Sequence, residues 1–406
     1  MASVLKHWRE AATLVLVTGR STSLREGIRF KPVNASVNNN NNINGNNADE
    51  NALKGDKFEV MLLKRSSKSK FMPSLYVFPG GVASDADFSE KWKDIFHDSN
   101  NELVKKTFEY AKRGGIGPPM FSRIRDPEFS LIPSEIAFRI CAIRETFEES
   151  GVLLARNAAD LKTIDTEFMK HGPVKATAFQ TSEILESWRK KVYADASEFV
   201  TMCQELNIIP DVWSLYEWSN WLTPTGQDKF AKYGRRYDTA FYVACVPDKP
   251  DAMEDQGETV HLQWGSPADI LTEYMNGNAK IAPPQLYELS RFLNFENIDD
   301  LHRFIWQREE HRVNQYLPVR VRCQDAFLFL LPGDDLYPKE PDFEGKQEQP
   351  ELSETLEELN RKFPNQHRTF LSGESDHIIV GCNIALPGGH VPPVSEPPFS
   401  QQVSKL

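Results

Sequence analysis

A chain of 406 residues, 40% hydrophobic and 11% aromatic, has enough apolar material for a full core and room for two domains. Its formal charge of -11 argues against nucleic acid as the main partner, but it leaves open an anionic substrate at a locally basic or metal-bearing site. The five cysteines (Cys141, Cys203, Cys245, Cys323, Cys382) are dispersed and lack a CxxC pair, which suits a reducing compartment and disfavours a disulfide framework or zinc site. No stretch approaches the ~18 consecutive apolar residues of a membrane helix.

The first apolar run, Thr13 to Gly19, is short and β-rich, so residues 12–19 read as a strand rather than a signal peptide. Asn34 to Asn47 is a low-complexity tract, expected as a disordered loop over 34–54 whose loss should leave activity intact. Phe58 to Lys64 predicts a second strand, leading into a basic run of Lys64, Arg65, Lys68 and Lys70. Leu75 to Phe78 predicts a third, ending in Pro79-Gly80-Gly81, where the missing Cβ atoms let backbone approach a ligand closely. Lys91 to Lys112 can form a helix, and the glycines from Gly114 to Gly117 belong to a loop that precedes no helix and cradles no phosphate.

Ser134 to Gly151 is the most informative stretch. Ile136, Ile140, Ile143 and Phe147 are spaced four, three and four apart, which marks the apolar side of a helix. Ser134 is the expected N-cap after Pro133, and Gly151 suits the left-handed position after the last turn. Glu145, Glu148 and Glu149 fall within ~100° of one another on the opposite side. Electrostatics opposes that cluster: each i,i+3 or i,i+4 pair of like charges costs roughly 0.2–0.5 kcal/mol. An exposed anion in the last turn costs roughly 0.3–1 kcal/mol more against the helix dipole. Arg144 alone cannot neutralise three carboxylates, whereas a hard divalent cation such as Mg²⁺ or Mn²⁺ can. On the glutamates alone, a solvated acidic face is the competing reading.

Val152 to Leu154 predicts a short strand, and 157–215 reads as mostly helical, most clearly from Thr181 to Leu206. Strands follow at Trp218 to Pro224, at Arg235 to Ala244 (central) and at Thr259 to Trp264. Ser266 and Pro267 then open a helix as N-cap and first residue. Two helices are expected over Pro284–Asn294 and Ile298–Glu309. Residues 317–331 and 368–384 are β-rich and are separated by an acidic, loose stretch from Asp334 to Gln349. A Pro- and Ser-rich tail leads to Ser404-Lys405-Leu406, a peroxisomal import tripeptide where a receptor reads it.

Arg144 to Val152 resembles the second half of a Nudix box, and Phe78-Pro79-Gly80-Gly81 resembles the loop that opens one. On these residues the chain is identified as a member of the Nudix hydrolase superfamily. The resemblance implies an α+β fold, an α/β/α sandwich around a mixed sheet. It implies Mg²⁺ or Mn²⁺ as cofactor, held by Glu145, Glu148, Glu149 and the Gly80 carbonyl, with Arg144 orienting the glutamates. The box is split: its glutamate is expected six residues after the glycine, where Asp87 stands, yet the helix starts only at Ser134. Glu135 precedes Arg144 by nine residues rather than eight, so the first acid of the box is open between Asp87 and Glu135. The expected organisation is a hydrolase domain over 1–310, interrupted at 34–54, at 88–133 inside the box and at 157–215. An accessory β-rich segment (311–390) and a tail (391–406) follow.

Trp221-Leu222-Thr223-Pro224, Arg236-Tyr237-Asp238-Thr239, Leu331 to Tyr337 and the terminal tripeptide together resemble the peroxisomal coenzyme A diphosphatases of that superfamily. That resemblance implies cleavage of coenzyme A and acyl-CoA to 3′,5′-ADP and (acyl-)4′-phosphopantetheine in the peroxisomal matrix, with an import receptor as partner and no nucleic acid or membrane span. Glu145, Glu149, Arg144 and Glu258 are the expected catalytic residues, Glu258 ahead of Glu254 as a base from a late loop. Lys64, Arg65, Gly80 and Gly81 are the expected substrate contacts, the basic pair facing the 3′-phosphate. The alternatives are another diphosphate substrate (ADP-ribose, NADH or a nucleotide sugar) and a ligand-binding module without turnover.

Overall fold

Leu14, Val15, Leu16 and Val17 are all fully buried, as an aliphatic run in a strand covered on both faces must be. The computed structural model describes residues 8–19, 58–69, 72–96, 102–111, 117–160, 173–225, 236–255, 257–311, 313–372 and 377–395. The Asn-rich stretch at 34–54, expected as a loop, and the terminal Ser404-Lys405-Leu406 lie outside them.

The chain opens with strands β1 (Trp8–Gly19), β2 (Phe58–Arg65), β3 (Tyr76–Val77) and β4 (Gly80–Val82). Helices α1 (Trp92–Ile95), α2 (Glu102–Ala111) and α3 (Ser134–Ser150) follow. Next come β5 (Leu153–Asn157), β6 (Ala178–Phe179), α4 (Glu183–Ala194), α5 (Glu198–Glu205) and β7 (Ile208–Pro210). Strands β8 (Tyr216–Leu222), β9 (Arg236–Val246) and β10 (Thr259–Gly265) precede helices α6 (Pro267–Met275), α7 (Pro283–Phe292) and α8 (Ile298–Gln307). Last are β11 (Gln315–Tyr316), β12 (Val319–Arg322), β13 (Ala326–Leu330), α9 (Leu356–Lys362), β14 (His367–Ser372) and β15 (Ile378–Cys382).

The main sheet runs β10-β2-β1-β9-β8-β11, with β3 paired to β2 and β4 to β1. It is mixed: β1 lies parallel to β9 from Trp8↔Arg236 to Thr18↔Val246, while β2 pairs antiparallel with both β1 and β10. Side-chain alternation then divides two cores. On one face Leu14, Leu16 and Met61 pack with Ile136, Ile140, Ile143 and Phe147 of α3, behind which lie Trp188 of α4 and Phe199 of α5. On the other, Val15, Val17 and Val60 pack with Ile270, Leu286, Leu289 and Leu301 from α6, α7 and α8. The result is the expected α/β/α sandwich. The accessory segment forms its own antiparallel sheet, β12-β13-β14-β15, and docks through Val380 onto the second core.

Several expectations need correction. β1 starts at Trp8, four residues early, because its first residues pair with the start of β9. The helix expected over 91–112 is two helices, α1 and α2. Ser134 is the first residue of α3 rather than its N-cap, and its hydroxyl accepts from Arg125 Nε at 3.0 Å. The acidic stretch after Asp334 is not loose. Asp334 is buried and paired with Arg368, and Asp342 accepts the backbone N–H groups of Glu344, Gly345 and Gln347.

Candidate active site

β4 brings the diglycine against the end of α3. Gly80 adopts φ 152°, and a Cβ there would run into the Ala12 carbonyl and Thr13 of β1. Its N–H donates to Glu149 Oε2 at 2.9 Å. A Cβ on Gly81 would collide with the Glu145 carboxylate. Both glycines are thus required by close approach, one to a strand and one to an acid.

Arg144 lies under this cluster, 3% exposed. It donates through Nε and one terminal nitrogen to the two oxygens of Asp87 at 2.8 and 2.9 Å. Its other terminal nitrogen donates to Glu145 Oε1 at 2.9 Å and Glu148 Oε1 at 2.7 Å. The planar fork of a guanidinium suits such a bidentate pair plus a bridge. Asp87 therefore fills the place left open between it and Glu135. A short 3₁₀ turn over Asp85–Phe88 holds it: Ser84 Oγ accepts from Ala86 N, and Asp87 Oδ2 accepts from Ser84 N at 2.8 Å. Glu135 lies in the first turn of α3, away from the cluster. The signal for Asp87 was present in its spacing from Gly81 and in the Ser84-x-x-Asp87 capping pattern.

The segment 88–133 puts the two halves of the box in register. Arg125 donates to both carboxylate oxygens of Glu10 on β1, at 2.7 and 3.1 Å, and its guanidinium lies over the Phe88 ring. Arg123 donates to Glu10 and to the buried Asp238 on β9. Two arginines just before α3 thus fix its start to the sheet, independent of the length inserted.

The carboxylates are crowded and largely shielded from solvent. Burial pushes the Glu145 carboxyl up to about 7; Arg144 opposes, while Glu148 and Asp87 push further. Burial raises Glu149 well above the carboxylate range, Glu145 adds to it, and the Gly80 N–H and Arg65 oppose. Glu148 is raised by burial against the pull of Arg144. Among the described residues no three His, Cys, Asp or Glu side chains converge into a ready-made metal cage, since Glu145 and Glu148 turn to Arg144 and Glu149 to Gly80. The donor chemistry still fits a hard divalent cation: three glutamates supply oxygen donors, and the one guanidinium beside them, which reaches Glu145 and Glu148, is already engaged by Asp87 on two sides.

The remaining candidates divide. Glu258 is exposed immediately before β10, close enough to Glu148 and Glu149 to raise both. Its N–H donates to Asp255 Oδ2 at 2.9 Å, and its carbonyl accepts from Ser66 N at 2.8 Å. Glu254 is half-buried in the preceding loop, and the main groups that shift the cluster do not include it. Arg65 faces the cluster, where its charge lowers Glu149. Lys64 does not: strand alternation turns it to the opposite face of β2, its ammonium 5.6 Å from the centre of the Tyr76 ring in the second core.

A mixed sheet between helical layers, with a diglycine strand set against an Arg-Glu-x-x-Glu-Glu helix, defines the class as a Nudix hydrolase. The NUDT19 Nudix domain family matches residues 8–292, and the NUDT19 C-terminal domain family matches residues 320–380. The chain is 37% identical over 408 residues to the acyl-coenzyme A diphosphatase NUDT19 of Xenopus laevis, covering 97% of this chain and 98% of that one. The Gallus gallus protein of the same name is 34% identical, with 96% of each chain covered, and the Homo sapiens protein is 33% identical, with 83% and 82% covered. The chain belongs to the NUDT19 family of Nudix hydrolases.

Proposed function

We propose that this protein hydrolyses the diphosphate bond of coenzyme A and acyl-CoA thioesters, releasing 3′,5′-ADP and (acyl-)4′-phosphopantetheine. The reaction type is carried by Glu145 and Glu148 held on Arg144 and Glu149 held on the Gly80 N–H, one carboxylate cluster beside the diglycine. The substrate class comes from the acyl-coenzyme A diphosphatases to which the chain is similar along nearly its whole length.

Glu145, Glu148 and Glu149, with the Gly80 carbonyl, are the residues that would hold Mg²⁺ or Mn²⁺. A cation bound there offsets charge on the diphosphate. Arg144 keeps Glu145 and Glu148 on one side of the helix, and the Gly80 N–H fixes one oxygen of Glu149. Glu258 is the exposed carboxylate beside this set and is assigned as the base for the attacking water. The water oxygen bonds to phosphorus as the bridging P–O bond breaks, and its proton passes to Glu258. Arg65 is the cation placed for the 3′-phosphate.

Incubation of the full chain with Mg²⁺ or Mn²⁺ and a panel of coenzyme A, acyl-CoA, ADP-ribose, NADH and nucleotide sugars tests this reading. Release of 3′,5′-ADP from coenzyme A, identified by mass, is the expected result. Turnover of the other diphosphates with coenzyme A untouched would overturn the substrate assignment. The reading extends to the peroxisomal matrix, with Ser404-Lys405-Leu406 engaged by an import receptor. An N-terminal fluorescent fusion should co-localise with a peroxisomal marker and spread through the cytosol once the tripeptide is removed.

A further inference from the structure

The end of α3 carries three carboxylates where the helix dipole disfavours them, and Arg144 pairs with two of them, Glu145 and Glu148, from the side of the helix. The cation at the end itself comes from α4. Arg189, 7% exposed, donates from Nε to the Glu148 carbonyl at 2.9 Å, one of the last-turn carbonyls without a partner inside the helix. The same guanidinium donates to the Met253 carbonyl at 2.8 Å, in the loop that leads to Glu258. Met253 answers by donating its N–H to the Ser150 carbonyl at 2.9 Å. From there Asp255 accepts the N–H groups of Glu258 and Thr259 at 2.9 and 2.8 Å, fixing the turn that presents Glu258. Gly151 passes beneath with φ 74°, where a Cβ would meet Arg189 at 3.2 Å.

We infer that Arg189 is a positioning residue for the proposed reaction: it clamps the last turn of the glutamate helix to the loop of Glu258 and so sets the distance between the metal-holding carboxylates and the proposed base. This rests on the role given above to Glu145, Glu148, Glu149 and Glu258. Arg189 touches none of the reacting atoms. Two of its nitrogens bind carbonyls on two separate segments, which the single ammonium of a lysine cannot reproduce in the same geometry. The segment 157–215 thereby acquires a task in the site through α4.

The test compares Arg189→Lys and Arg189→Ala with the wild-type full chain, reading kcat and KM for coenzyme A, the Mg²⁺ concentration for half-maximal rate, and the melting temperature. Arg189→Lys keeps the charge and most of the stem, so it is the decisive variant if Arg189→Ala does not fold. The expected result for Arg189→Lys is a fall in kcat of about 10-fold, a several-fold rise in the Mg²⁺ requirement and a KM changed less than about 3-fold. Where Arg189→Ala folds, low-millimolar guanidinium should restore part of its rate. A folded Arg189→Lys with wild-type kcat and Mg²⁺ requirement would overturn the inference. Glu149→Gln, assayed alongside, separates the two failures: if it is inactive while Arg189→Lys is normal, the clamp alone is wrong, and if it stays active the reading of the site is wrong.

Discussion

Two sets of buried carboxylates in this molecule are built on opposite terms. Glu288 on α7 is fully buried and accepts from Trp218 Nε1 at 2.6 Å, Ser219 Oγ at 2.7 Å, Trp221 Nε1 at 2.6 Å and Arg291 at 3.2 Å. Asp334, at the root of the accessory sheet, accepts both arms of Arg368 at 2.6 and 2.7 Å and the His367 N–H at 2.9 Å. In both places each charge is matched locally, and the acid ties one layer to the next. The cluster at the end of α3 has Glu145 and Glu148 on one arginine already held by Asp87 and Glu149 on a single backbone N–H, with Glu145 and Glu149 raised by burial. A matched buried acid holds a fold together; an under-matched cluster is arranged for a charge that arrives with a ligand.

That contrast can be broken most sharply at Glu149. Glu149→Gln should lower turnover of coenzyme A by at least about 100-fold while leaving the melting temperature unchanged or raised, because glutamine keeps an oxygen for the Gly80 N–H and cannot become charged in a crowded set. Retained activity, or a collapse in stability, would erase the distinction. Glu288→Ala should do the reverse. Arg291 and two indole N–H groups lose their partner, at a cost of about 3–5 kcal/mol seen in denaturant unfolding, while the folded fraction keeps its rate.

A third measurement follows protons rather than residues. A carboxyl raised from 4.5 to about 7 binds a proton in the folded chain that the unfolded chain has already released. Stability of the metal-free protein should therefore fall as pH rises from about 4.5 to about 7, the opposite of a carboxylate whose folded pKa is depressed. Mg²⁺ should accordingly raise the melting temperature more at pH 8 than at pH 5.5, a difference that differential scanning can read. The smallest expected effect is at the substrate edge. Arg65→Ala should raise KM several-fold more for coenzyme A than for 3′-dephospho-coenzyme A, whereas Lys64→Ala should change either by less than about 2-fold. Equal shifts for both substrates in Arg65→Ala would remove the 3′-phosphate from its role.

How much of this was legible in the sequence depended on how local each feature is. Ile136, Ile140, Ile143 and Phe147 announced α3 because a helix repeats every 3.6 residues, and Gly151 announced its end because the left-handed backbone there favours glycine. Ser266 and Pro267 marked the start of α6 for the same kind of reason, and the Ser266 hydroxyl does accept from Asp269 N at 3.1 Å. Asp87 stayed ambiguous against Glu135, because spacing along the chain loses its meaning once an insertion intervenes. Lys64 and Arg65 were inseparable as neighbours, since only the packing of β2 tells which face looks at α3. The acidic stretch from Asp334 looked loose by composition, and the partners that order it are Arg368, distant in sequence, and its own backbone.

By itself the sequence determined the glutamate helix, the diglycine and the crowded trio of glutamates, because each follows from periodicity or from what a missing Cβ allows, and the sandwich around them followed from the resemblance of those residues to a Nudix box. Only the tertiary structure decided which acid faces Arg144, which of two adjacent cations faces the site, and that Arg189 supplies the positive charge at the end of α3. Those choices depend on pairings across 57 residues for Asp87 with Arg144 and 41 for Arg189 with Glu148. Local propensity carries no information over such separations, and only the packing of strands and helices brings the groups within hydrogen-bonding reach.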